Sequence, residues 1–206
     1  MNKRKILDIK MNNLPKIILL SGAKRSGKDT FANYLEEHYG YKHIKITTKL
    51  KNCIKMLFDL EDEDLEDNKE LVNPEWKVTP RRIMQFMGTE MFQNKIQELI
   101  PNIGKTFWIK SLLNNELITK LMTNKEYKIV ISDLRFIHEL EEIKKINIQF
   151  CHIRINNNNL NYTIDNHISE NEFYKLKYDY VINNNNNNIY DYYYEIEKLM
   201  NELIKI

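Results

Sequence analysis

Between Ser21 and Thr30 the chain reads SGAKRSGKDT, directly after the apolar run Ile17-Ile18-Leu19-Leu20. Gly22 and Gly27 stand at the spacing G-x-x-x-x-G-K, closed by Lys28, which is the spacing of a loop that wraps phosphate. Glycines let such a loop turn its backbone N–H groups inward onto phosphate oxygens. A helix starting at its end adds the positive end of its dipole. Lys28 supplies a mobile charge for the β- and γ-phosphates. The hydroxyl residue that usually follows the lysine is Asp29 here, with Thr30 next. A carboxylate is a harder and more strongly charged partner for Mg2+ than a hydroxyl, so Asp29 and Thr30 are the candidate metal ligands.

A second group of chemically capable residues, Asp133, Leu134 and Arg135, follows the apolar, β-branched run YKIVIS at 127–132. Asp133 offers a carboxylate facing metal or substrate, or a cap where strand becomes helix. Arg135 offers a fork that can clamp phosphate. A phosphate loop establishes nucleotide binding without separating a switch, a motor and a kinase, so the neighbours of the aspartate decide. A GTPase needs D-x-x-G and N-K-x-D, but Asp133 is followed by Leu-Arg-Phe, and the pair Asn124-Lys125 continues Glu-Tyr. A remodelling ATPase places a glutamate beside the strand-end aspartate, whereas Ser132 and Leu134 flank this one. What remains is phosphoryl transfer to a small acceptor. Arg81 sits at a helix start, where a cation opposes the dipole, so a bound phosphate explains it better than bare structure does. Lys28, Arg81, Asp133 and Arg135 are the catalytic candidates. Arg82 would point about 100° away from Arg81 on a helix and is read as the solvent-facing one.

These residues need a scaffold that gathers strand ends. Pro15 introduces a predicted strand at 16–20, and Phe31, Leu35 and His38 face one way on the helix after the loop. A short strand is predicted at 41–46 and a helix at 48–60 with Leu50, Ile54, Leu57 and Phe58 at helical spacing. The acidic run 61–67 reads as a solvated helix end or loop. Thr79 and Pro80 open a helix with Ile83, Met84 and Met87 on its buried stripe, predicted to end at Gly88. Further helices are predicted at 107–121, 136–146 and 190–206, and strands at 127–132, 149–155 and 178–182. This alternation implies an α/β fold with a mostly parallel sheet covered on both faces, with ligands at the C-terminal ends of its strands. The asparagine tracts at 156–159 and 183–188 read as loop filler, with Asn183 or Asn184 placed to touch adenine.

Composition narrows the class. Thirty-one basic and 29 acidic residues give a net charge of +2, which argues against a basic face built for nucleic acid. Cys53 and Cys151 lack C-x-x-C spacing and sit among apolar residues, so two buried thiols in a reducing compartment are expected. No apolar run approaches membrane-spanning length, and residues 1–10 lack the features of a secretory signal, so a soluble intracellular protein is expected.

Five motifs in order carry a family likeness: SGAKRSGKDT, TPRRIMQFMGTE at 79–90, Phe107-Trp108, SDLRFIHE at 132–139 and HISE at 167–170. Together they resemble the motif set of the phage and viral deoxynucleoside monophosphate kinases. The resemblance runs from about residue 15 to the C-terminus. It implies a three-layer P-loop kinase domain at 15–206 behind a loose arm at 1–14, with a helical acceptor-binding region at about 47–107 and a lid at about 156–173. The implied activity is ATP-dependent phosphorylation of deoxynucleoside 5′-monophosphates with Mg2+ as cofactor, supplying precursors of the triphosphates. By the same resemblance Arg25, Ser26, Gly27, Lys28, Asp29 and Thr30 hold ATP. Lys24, Arg81, Gln85, Gly88, Thr89, Trp108, Asp133 and Glu139 meet the acceptor. The implied partners are ATP and a deoxynucleoside monophosphate, without stable nucleic-acid or membrane association, and a homodimer is allowed for. The implied location is the cytoplasm, that of the host for a viral protein. The rival readings are another small-molecule kinase, such as one like the animal-type phosphomevalonate kinases, and an ATP-dependent nucleic-acid remodeller or switch.

The chain departs from the pattern at Gln93, where relatives often carry arginine, and at 156–159, where asparagines replace an Arg-Pro pair. The cation expected near the lid is then absent or displaced to Arg154. Trp108 is open to two readings, an aromatic wall for sugar or base and a core anchor. His167 reads as a lid or packing residue rather than a base.

Overall fold

The computed structural model describes residues 13–158, 172–185 and 188–205. In chain order the elements are β1 (Ile17–Ser21), α1 (Lys28–Tyr39), β2 (Tyr41–Ile44), α2 (Thr48–Phe58), α3 (Asp62–Glu66) and α4 (Pro80–Gln85). A π-helical run, Phe86–Asn94, and a 3-10 turn, Lys95–Glu98, continue α4. Then come α5 (Phe107–Leu112), α6 (Asn115–Thr123), β3 (Lys128–Ile131), α7 (Ile137–Lys145), β4 (Phe150–Asn156), a 3-10 turn (Glu172–Lys175), β5 (Tyr180–Asn183) and α8 (Ile189–Leu203). Two compact units divide the chain: residues 1–45 with 115–206, and residues 46–114. The expected acceptor region at about 47–107 falls inside the second.

The first unit is built on a five-stranded sheet of order β2-β3-β1-β4-β5 with every pair parallel. An all-parallel sheet must be covered on both faces, and β1 shows why this sequence complies: all five of its residues are buried. Ile18 and Leu20 face a core with Phe31 and Leu35 of α1 and Tyr192, Ile196 and Met200 of α8. Ile17 and Leu19, on the opposite face, are fully buried as well. Each such aliphatic side chain contributes about 1.5–3 kcal/mol on burial. The register Leu19↔Ile131 and Ile44↔Ile131 sets the C-terminal ends of β1, β2 and β3 side by side. The loop after β1 and the turn after β3 are therefore neighbours.

In the second unit α2 packs on α4 and α5 around the buried Leu50, Ile54, Ile83 and Ile109. The acidic run is solvated as expected, with its carboxylates largely exposed, and it forms a short helix of its own. Asp64 accepts the Glu61 N–H at 2.9 Å in a capping box, three carboxylates occupy the first turn where the dipole favours them, and Leu65 is fully buried.

Other local expectations need correction. Gly88 does not end its helix, and no left-handed turn forms there; the backbone widens into the π-helical run instead. The helix expected at 107–121 is two, because Leu113 leaves helical geometry and the Asn114 N–H turns to the Leu112 carbonyl at 2.8 Å. Cys151 is buried, but Cys53 is exposed, since it lies beside the Leu50–Ile54 stripe of α2 rather than on it. Leu57 continues that stripe past its packing partners and is also exposed. Met84 is half-buried while Ile83 and Met87 are buried.

Candidate functional site

The loop from Gly22 to Gly27 joins β1 to α1 through backbone that side chains tolerate poorly. Gly22 and Gly27 have φ of +151° and +105°, and a Cβ would lie 2.2 Å from the Ile155 carbonyl oxygen at the first and 2.5 Å from Asn184 Nδ2 at the second. Arg25 also takes a positive φ, 63°, and a turn closes between Ser26 N–H and the Ala23 carbonyl at 3.1 Å. The cap residue of α1 is Gly27, which brings no side chain to the helix N-terminus. The N-terminus of a helix is the end at which backbone N–H groups and the dipole favour an anion. Ser26 is fully buried, and its hydroxyl has no hydrogen-bond partner among the described residues. A buried hydroxyl without a partner is costly, which is what a group waiting on a phosphate oxygen looks like. Lys28 is half-buried and folds its ammonium over the loop, donating to the carbonyls of Gly22 at 3.0 Å and Ala23 at 2.6 Å. Lys24 and Arg25 are exposed on the same loop, and Thr30 is half-buried on the first turn of α1.

Asp29 is joined to the ends of the neighbouring strands. Its Oδ1 accepts from Ser132 Oγ at 2.8 Å and pairs with Lys45 at 3.0 Å, and the His43 ring lies 3.7 Å away. Because a carboxylate only accepts, Ser132 donates to it and accepts in turn from His43 Nε2 at 2.7 Å. Burial works against the charge on Asp29, yet the Ser132 hydroxyl and Lys45 outweigh it and hold the carboxyl below its usual range. Burial, aided by Lys45, depresses the His43 ring below its ordinary value. These contacts all fall on Oδ1, and the Asp29 side chain keeps 61% of its surface exposed. Among the described residues no group of three or more His, Cys, Asp or Glu side chains converges to hold a metal. A divalent ion here would rest on one or two protein oxygens plus the nucleotide's phosphates, the mode Mg2+ favours, and the ionised, exposed Asp29 fits it. Ser132, His43 and Lys45 were not singled out from sequence. The signal was available for Ser132, which occupies the strand-end position beside Asp133.

Asp133 and Arg135 are half-buried on the turn after β3. Glu139 is buried and accepts the backbone N–H groups of Arg135 at 2.9 Å and Phe136 at 3.0 Å from the first turn of α7. Burial pushes its carboxyl up to about 8, against the pull of those two N–H groups and with a further push from Asp133. The described contacts of Glu139 thus organise the turn that carries Asp133 and Arg135.

The remaining candidates lie in the second unit. Thr79 Oγ1 caps α4 by accepting the Arg82 N–H at 3.2 Å, with Pro80 at the first position. Arg81 is largely buried and donates to Glu70 at 3.1 Å. Arg82 is exposed as expected and pairs with Glu90. Gln85 and Thr89 are half-buried, and Gln93 is buried. Trp108 is 8% exposed, donates its indole N–H to the Gly88 carbonyl at 2.9 Å and packs with Phe92 and Phe107. That is a satisfied anchor in the unit's core, on the packing side of the two readings.

Arg154 is 9% exposed in β4 and donates to the carbonyls of Phe173, Tyr174 and Leu176, with the Tyr178 ring 4.6 Å away. These bonds tie 173–176 to the sheet. The lid itself, about 156–173, and His167 lie almost wholly outside the described residues.

The family model for deoxynucleotide monophosphate kinase matches residues 16–73 and 59–196, which take in the loop, Arg81, Trp108, Asp133 and Glu139. A protein of Acanthamoeba polyphaga mimivirus, provisionally named a deoxynucleotide monophosphate kinase, is 31% identical over 141 residues, 63% of this chain and 69% of that one. Among solved structures, a gluconokinase from Sinorhizobium meliloti 1021 matches with a TM-score of 0.48 at 11% identity, covering 93% of this chain and 95% of the other. Dephospho-CoA kinase from Campylobacter jejuni matches with a TM-score of 0.49 at 18% identity, covering 92% and 98%. A phosphate loop at the end of β1, an aspartate and arginine on the turn after β3, and a family match spanning both units lead to one assignment: this chain belongs to the deoxynucleotide monophosphate kinase family.

Proposed function

We propose that the chain transfers the γ-phosphoryl group of ATP to a deoxynucleoside 5′-monophosphate, producing the diphosphate. The observation that supports this most is the loop itself. Among the described residues Ser26 Oγ is buried without a partner, and α1 starts from the glycine cap Gly27, beside a turn that carries Asp133 and Arg135. The acceptor phosphate has a second pKa near about 6, so it is already largely ionised at neutral pH and needs no general base. The difficulty is electrostatic, because two anions must approach in line while charge spreads over the transferring group. The loop N–H groups and Lys28 hold the donor phosphates, Arg135 lowers the repulsion, and Arg81 takes the acceptor phosphate in exchange for Glu70. Glu139 holds that turn through the Arg135 and Phe136 N–H groups, and Asp133 faces the acceptor. Mg2+, when bound, neutralises charge on the β- and γ-phosphates, and Asp29 and Thr30 are the residues that would hold it.

The test is purified protein with MgATP and a panel of deoxynucleoside monophosphates, ribonucleoside monophosphates and phosphomevalonate, with ADP formation followed. ADP should form with at least one deoxynucleoside monophosphate. Turnover with phosphomevalonate alone, or ATP hydrolysis stimulated by nucleic acid without any small acceptor, would overturn the reading.

A further inference from the structure

The two asparagine tracts are not filler where the structure describes them. Asn184, just past β5, donates its backbone N–H to the Asn156 carbonyl at 2.7 Å, and Asn158 N–H reaches Asn185 Oδ1 at 2.8 Å. Asn156 Nδ2 lies 3.3 Å from Asn183 Oδ1. These bonds extend the β4–β5 pairing beyond the register pair Asn156↔Asn183. The Asn184 side chain then leaves the ladder and donates Nδ2–H to the Ser26 carbonyl at 3.0 Å. One residue on, Tyr192 of α8 donates its hydroxyl to the Gly27 carbonyl at 3.1 Å.

A peptide unit is planar, with its C=O and N–H pointing in opposite directions. A donor that holds the Ser26 carbonyl therefore fixes the Gly27 N–H on the opposite side, and a donor on the Gly27 carbonyl does the same for the Lys28 N–H. Two consecutive N–H groups of the phosphate loop are aimed from behind. The same contact accounts for glycine at 27, since a Cβ there would meet Asn184 Nδ2 at 2.5 Å and the Tyr192 ring at 3.1 Å. We propose that Asn184 is a positioning residue for the phosphate loop, orienting the Ser26–Gly27 peptide so that its N–H faces the donor's phosphates. The inference rests on the reading that this loop binds ATP. It assigns Asn184 to the phosphates' backbone cradle and not to the base.

The discriminating variant is Asn184→Asp, which keeps the shape but cannot donate to a carbonyl, alongside Asn184→Ala. Dissociation constants for ATP and for inorganic tripolyphosphate, which has no base, are measured by calorimetry, with KM for ATP and for the acceptor and a thermal melt in parallel. Both ligands should bind Asn184→Asp about three- to tenfold more weakly, the size of one lost hydrogen bond, while the acceptor KM stays within about twofold. Asn184→Gln, which retains the donor, should recover part of the loss. Unchanged affinity for both ligands in the two non-donating variants overturns the inference, as does a loss for ATP that tripolyphosphate does not share, which would place the amide on the base. Failure of the parent protein to bind ATP would sink the kinase reading itself, and the inference with it.

Discussion

The loop at 21–30 and the helical run that opens at Pro80 are both announced by local motifs, yet they reach their backbones by different routes. In the loop, residue type dictates geometry. Gly22 and Gly27 take φ values closed to most side chains, and an apolar strand and a helix fix the two ends. In the run, only the start is dictated, by the Thr79 cap and Pro80. Beyond it the helix widens over Phe86–Asn94 and tightens over Lys95–Glu98, where Gly88 faces Leu50 and gives its carbonyl to Trp108. Widened π-helical turns are uncommon and concentrate at functional sites. The first backbone is set by steric rule, the second by packing, and substitutions should separate them.

The largest effect is expected in the loop. Lys28→Ala should lower kcat on the order of 10²- to 10³-fold, because the ammonium acts on charge that peaks during transfer. In the structure the ammonium donates to the Gly22 and Ala23 carbonyls of the loop itself, and the variant should remain folded in a thermal melt. Near-normal turnover by a folded variant would reject the loop as the donor site.

That division also explains what the sequence could disclose. Strands β1 and β3 were legible because buried parallel strands are apolar throughout, and the loop was legible because glycine spacing encodes its dihedral angles. The end of the α4 run was not, since a glycine reads as a stop unless one knows that Leu50 and Trp108 occupy its surroundings. For the same reason His43 and Lys45 escaped notice, and Asn184 was read toward adenine rather than toward the phosphate loop. They come from separate stretches of chain, and only the strand register brings the first two to Asp29 and the third to Ser26.

In the second region the largest effect belongs to Arg81. Arg81→Ala should raise KM for every acceptor monophosphate alike by about ten- to a hundredfold, the range for a hydrogen bond to a charged group. Phosphate contacts are blind to the base, so the ranking of acceptors should be preserved. ATP affinity should stay near that of the parent. An equal fall in ATP binding would make Arg81 a structural partner of Glu70 instead.

A smaller effect concerns the turn that carries Asp133 and Arg135. The Glu139 carboxyl is raised from 4.5 to about 8 in the folded chain. Folding therefore favours its protonated form, and this contribution to stability is complete below about pH 4.5 and is lost as pH climbs toward 8. Gln at 139 still accepts the two backbone N–H groups through its amide oxygen and does not titrate. The stability of the parent relative to Glu139→Gln should thus decline between about pH 5 and pH 8 in denaturant melts. Parallel curves would mean that the Arg135 and Phe136 N–H groups offset the burial and keep the carboxyl ionised throughout.

The smallest effect is expected at Gly88, and it tests the packing rule most directly. Its backbone is not in the left-handed region, and a Cβ would meet only Leu50 Cδ2, at 2.9 Å, the far end of a side chain that can rotate. Alanine gains about 0.8–1 kcal/mol over glycine inside a helix, which should offset much of the cost of moving one methyl group. Gly88→Ala should therefore change stability by less than about 1 kcal/mol in denaturant melts. Acceptor KM, measured on the same protein, then separates two reasons for the glycine. A raised KM at unchanged stability would mean that the acceptor approaches the backbone here, as the family resemblance implies. A loss of several kcal/mol would mean instead that Leu50 cannot give way, and that the widened turn is held by core packing alone.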